Sequence, residues 1–162
     1  MADRLRGPFL RTPAVYHWEE LFAGNLYNTM IRLKTARALL RLMAREYGVP
    51  IPRLRRYRFP DESNAVARAS AYPAAIEFNA RTNSITAMLL AHEMAHIICM
   101  YYGFEDDSMD HGRIWLGVYA RLLNDYAIMP YSATVASLDK YDLSHIHPHC
   151  GRPDDLWEFD GE

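Results

Sequence analysis

The chain has 162 residues, 50% of them hydrophobic and 23% charged, with a formal net charge of −2, which is enough for one core and short for two. Two cysteines give no disulfide framework, the start Met1–Pro8 lacks the apolar stretch of a signal peptide, and no apolar run reaches the roughly 18 residues of a membrane span. A single compact domain in the cytoplasm, with no membrane partner, is therefore expected.

In chain order, residues 1–13 are polar, contain Pro8 and Pro13, and read as an arm. From Ala14 to Tyr47 apolar residues recur at three and four spacing (Trp18, Leu21, Leu26, Met30, Leu33, Leu40, Met43), which predicts a long helix, with a break near Gly24 and an end at Gly48-Val49-Pro50. His17 on this helix reads as a hydrogen-bonded structural histidine. Three short strands follow, at about 54–59, 65–71 and 74–79, punctuated by Pro60-Asp61 and Pro73. A helix is predicted over 84–102, capped by Asn83 or Ser84 and ended by Gly103 as its C′ glycine. An acidic loop from Glu105 to Asp110 leads to a helix at 111–126, and Pro130 separates it from a last helix at 132–140. There are no repeats. Helix, then strands, then helices indicates an α+β fold with a small, mostly antiparallel sheet, in a domain spanning 14–144 with a tail at 145–162.

Within the helix at 84–102, residues 92–96 read His-Glu-Met-Ala-His. A helix turns about 100° per residue, so His92 and His96 stack on one face and can grip a single ion. Glu93, one position round, can take a proton from water at the metal without ligating it. It is the candidate general base. A catalytic zinc site needs three protein ligands and an open position. His111, fifteen residues beyond His96, is the preferred third ligand. Asp106, Asp107 and Asp110 are alternatives, since a carboxylate can also serve. Cys99 is excluded because seven residues of helix rise about 10.5 Å, and it reads as core. A histidine six positions after the motif, as in metzincins, is absent, and so is a glutamate on the following helix to complete a thermolysin-like site.

The motif His92–His96 followed by His111-Gly112-Arg113-Ile114-Trp115 and the apolar run Leu116, Val118, Tyr119, Leu122 and Leu123 resembles the SprT-like metallopeptidases, the group that includes Spartan, over roughly residues 74–125. The resemblance implies a zincin-like fold, Zn²⁺ as cofactor, His92, His96 and His111 as its ligands, and Glu93 as catalytic acid/base. It differs from many of those chains in lacking the CxxC pairs of a zinc ribbon, since Cys99 and Cys150 are its only cysteines.

The expected activity is hydrolysis of peptide bonds, with Glu93 accepting a proton from water activated by zinc and passing it to the leaving amine. Tyr101, Tyr102, Tyr131 or Tyr141 are candidates for an additional donor to the oxyanion. The strand at 74–79 is expected to be a sheet edge along which an extended protein or peptide substrate adds as a strand.

Residues 1–58 hold twelve Lys or Arg against four Asp or Glu, and residues 104–162 hold four against twelve. Arg37, Arg41 and Arg45 at four spacing, and Arg53, Arg55, Arg56 and Arg58 around Tyr57 and Phe59, make DNA a candidate partner of the basic half, against a plain solvated face. His145, His147, His149 and Cys150 form a second cluster with metal-ligating chemistry, interrupted by Pro148. The alternative to a peptidase is a noncatalytic zinc-containing module that binds nucleic acid or protein. An intact Glu93 argues against it, because a structural site gains nothing from a base beside the metal.

Overall fold

The computed structural model describes residues 11–21, 29–60, 66–81, 85–105, 109, 111–140 and 143. They form helices α1 (Arg11–Leu21) and α2 (Leu33–Glu46), strands β1 (Arg53–Tyr57), β2 (Ala67–Ala71) and β3 (Ala74–Asn79), and helices α3 (Ala87–Tyr101), α4 (Arg113–Asp125) and α5 (Tyr131–Asp139). The fold is α+β, as the order of patterns predicts. The N-terminal helical pattern is broken, with non-helical residues 29–32 ahead of α2; residues 22–28, including Gly24, where the break was expected, lie outside the described residues.

The sheet has the order β1-β3-β2. β2 and β3 pair antiparallel around the Tyr72-Pro73 turn, while β1 lies parallel to β3, so only one of the two ladders is antiparallel. β3 is thus the central strand and not an edge, which corrects the expectation for residues 74–79. Its burial explains the position: Ala75, Ile76, Phe78 and Asn79 are all buried, so both faces of the strand are covered. Edges fall to β1, whose three arginines suit an edge strand, and to β2. No helix of the described residues is long and apolar enough to cross a membrane.

α3 is the centre of the molecule. It packs over β2 and against α4 and α2, and eleven of its fifteen residues are buried. Burying each large apolar side chain here, such as Met88, Leu90, Met94, Ile97 and Ile98, is worth about 1.5–3 kcal/mol. Thr86, rather than Asn83 or Ser84, caps its start: the Thr86 hydroxyl accepts from the Leu89 N–H at 3.0 Å. At the other end Gly103 takes φ +86, and the N–H groups of Gly103 and Phe104 return to the carbonyls of Met100 and Cys99 at 3.3 and 2.8 Å. That is the glycine-terminated Schellman arrangement the sequence predicts.

α2 turns Ala36, Leu40, Met43 and Ala44 inward and keeps Arg37, Arg41 and Arg45 in solvent. α1 docks through Trp18, which is fully buried and donates its indole N–H to the Ser137 hydroxyl of α5 at 2.8 Å. The helix that carries the motif is thereby enclosed by elements from both ends of the chain.

Candidate metal centre

Helical spacing on α3 puts His92 and His96 on one face, and the turn before α4 brings His111 to meet them. The Nε2 of His92 lies 3.2 Å from the Nε2 of His96 and 3.2 Å from that of His111, and the three ligating nitrogens all fall within 4.8 Å of one another. Tetrahedral zinc with Zn–N bonds near 2.05 Å sets its nitrogens about 3.3 Å apart, so the spacing fits that ion. Three ring nitrogens facing one another at this distance form a site able to hold a cation.

The orientation of His92 has a cause that the sequence pattern did not show. Its Nδ1–H donates to the Glu19 carboxylate of α1 at 2.8 Å, which fixes the tautomer and turns the Nε2 lone pair into the cluster. The same oxygen accepts the Tyr119 hydroxyl of α4 at 2.6 Å. Glu19 is 2% exposed, so a buried carboxylate and two donors from three helices form one closed unit. The signal available in the sequence was an acid next to Trp18 on the apolar side of a helix. Nothing in the sequence names its partner.

Burial lowers the His92 imidazolium, but the charge and hydrogen bond of Glu19, joined by Glu93, outweigh it and leave the pKa raised. Burial and the neighbouring His92 charge hold His111 down at about 3, so this imidazole stays neutral. Burial pushes the Glu93 carboxyl up to about 7; His92 pulls it back and Glu19 adds to the rise. A buried acid that titrates near neutrality beside a metal-competent cluster can both take and return a proton.

Trp115 backs the cluster. Its ring centroid is 4.8, 5.1 and 4.3 Å from those of His92, His96 and His111, and it is fully buried. His92 and His111 are 3% exposed, whereas His96 is only partly buried, so the cluster opens towards solvent past His96. Tyr16 of α1, half exposed, lies against the cluster, its ring 5.8 Å from His92 and 5.5 Å from His111. His111 itself takes φ +52, in the left-handed region.

Of the other sequence candidates, Cys99 is fully buried in the core, as expected. His17 is exposed on α1 and is not among the clustered imidazoles. The Tyr102 hydroxyl donates to the Tyr47 carbonyl at 2.6 Å, and Tyr101 stacks on Tyr72 with centroids 6.2 Å apart. Asp106, Asp107, Asp110, Tyr141, His145, His147, His149 and Cys150 lie outside the described residues.

The basic half divides. Arg37, Arg41 and Arg53 line an open groove of about 260 Å³ with Ile51, Pro52 and Leu54 between α2 and β1. Elsewhere the arginines and aromatics serve each other, Arg56 over the Phe78 ring and Arg68 over those of Tyr57 and Phe59, with Arg68 also paired to Glu77 at 2.6 Å. The motif and fold are those of a zincin-like centre, a cluster able to hold zinc in an α+β domain. Comparison with protein-family models, with curated proteins and with solved structures finds no match to this chain.

Proposed function

We propose that the chain is a zinc-dependent metallopeptidase of the SprT-like kind, with residues 14–144 as its peptidase unit and a protein or peptide as substrate. The observation that carries this reading is the convergence of the His92, His96 and His111 nitrogens at zinc spacing, with the buried Glu93 carboxyl next to them. His92, His96 and His111 would hold the metal. A bound zinc ion supplies Lewis acidity, bringing water towards a pKa of ~7 and polarising a carbonyl.

The rest of the reaction falls to side chains of the chain. Glu93 takes the proton of the attacking water and returns it to the leaving amine. Glu19 keeps His92 in the ligating tautomer, and Trp115 keeps water from the inner side of the cluster. Among the described residues the sheet edge nearest the motif helix is β2, which gives an extended substrate backbone partners without demanding a particular sequence. The buried Cys99 thiol suits a reducing compartment such as the cytoplasm.

A second reading, a noncatalytic zinc-containing module that binds DNA or protein, draws on the groove of three arginines. Glu93→Gln separates the two. The peptidase reading expects one zinc per chain in both proteins and a fall of kcat on unfolded casein by ~10³-fold or more in the variant. Equal cleavage by wild type and variant would sink the mechanism, and absence of cleavage in both, with zinc bound, would favour the binding module.

A further inference from the structure

We infer that Tyr16 is a further catalytic residue, whose hydroxyl donates to the carbonyl oxygen of the substrate as that oxygen gathers negative charge. The inference rests on the peptidase reading and adds to it a residue outside the motif, on α1.

Placement carries the argument. The imidazole cluster is closed on its inner side by Trp115 and Tyr119, which are 0% and 1% exposed, and the Tyr119 hydroxyl is committed to Glu19. A substrate must therefore approach from the other side, where His96 reaches solvent. Tyr16 is 51% exposed against two of the ligands, with its ring parallel to that of His92 at 13° and edge-on to that of His111 at 68°. It is held by its own helix: Glu19, three residues on and so on the same face, is anchored to His92 and Tyr119, while Val15 and Trp18 are buried in the core. The backbone of Tyr16 is thus fixed by buried contacts, and its half-exposed side chain can settle against an incoming chain.

The chemistry fits the position. A phenol is neutral at pH 7 and offers one O–H donor. A donor poised where charge develops stabilises the transition state more than the ground state, because the carbonyl oxygen of the substrate carries less charge before attack. No proton need leave Tyr16, since Glu93 handles the proton of the water. Of the tyrosines considered from sequence, Tyr102 is committed to Tyr47 and Tyr101 stacks on Tyr72.

The test uses the zinc-loaded full chain and Tyr16→Phe, which keeps the ring and removes the hydroxyl. Three readouts are taken: kcat and KM on unfolded casein, zinc affinity by chelator competition, and calorimetric affinity for a phosphonate dipeptide analogue, whose tetrahedral anion mimics the transition state. The expected result is a ~10²-fold loss of kcat with KM and zinc affinity unchanged, and phosphonate affinity lowered at least tenfold. Wild-type kcat and phosphonate affinity in Tyr16→Phe would overturn the inference and leave the peptidase reading intact. Weakened zinc binding in Tyr16→Phe would also overturn it, in favour of a packing role on His92. A zinc-loaded wild type that neither cleaves casein nor binds the phosphonate would overturn both readings together.

Discussion

Glu19 and His92 stand 73 positions apart in the chain, yet they share a buried hydrogen bond on which the orientation of a ligand imidazole depends. Glu19→Gln keeps an oxygen for the His92 Nδ1–H and the Tyr119 hydroxyl but removes the charge. Zinc affinity is expected to fall about tenfold, and up to ~100-fold in Glu19→Ala, by competition against a calibrated chelator. Unchanged affinity in both variants would show that the contact is mere packing. That His92, His96 and His111 meet was legible in the sequence, because helical spacing stacks the first two on one face and His111 heads the next helical segment. The Glu19 contact was not, because nothing within α1 indicates what lies across from it.

At the scale of elements, boundaries followed local chemistry where that chemistry was unambiguous. Gly103 ends α3 in the left-handed conformation, and Pro130 starts α5. The start of α3 was misread by two or three residues, since Asn83, Ser84 and Thr86 all carry capping side chains and only the path of the chain selects one. Thr86→Ala should cost ~1 kcal/mol in urea unfolding, whereas Thr86→Ser should cost little. Equal stability of the two variants would show that the hydroxyl does not cap. Strand order was the least legible element. β1, β2 and β3 are short and similar in pattern, and the insertion of β3 between the others reflects burial of both its faces by long-range packing.

For the whole molecule, removal of zinc changes how stability responds to pH. In the metal-free fold Glu93 titrates at about 7 against 4.5 for an ordinary carboxyl. A raised acid favours the fold while it is protonated. Its contribution is complete below pH ~4.5, declines as pH rises through 7, and is then lost. His111 acts in the opposite sense, since a histidine held at about 3 keeps its contribution above pH ~6.5 and loses it as pH falls towards 3. Metal-free Glu93→Gln should therefore match wild type near pH 4 and exceed it by about 3 kcal/mol at pH 8.5, measured by urea unfolding. A constant difference across that range would mean that Glu93 does not titrate in the fold.

The positive φ of His111 bears on how this ligand can be replaced. Left-handed backbone costs a side chain with a β-carbon roughly 1–2 kcal/mol, and asparagine is among the residues that bear it best. Alanine at this position would remove the imidazole and strain the turn at once, so metal loss in it would have two causes. Asparagine preserves the turn while withdrawing the ring nitrogen, and it separates coordination from backbone shape. The position thus asks two unrelated things of one residue, a rare backbone angle and a metal-binding nitrogen. That double demand narrows the substitutions it can accept more than a ligand role alone would.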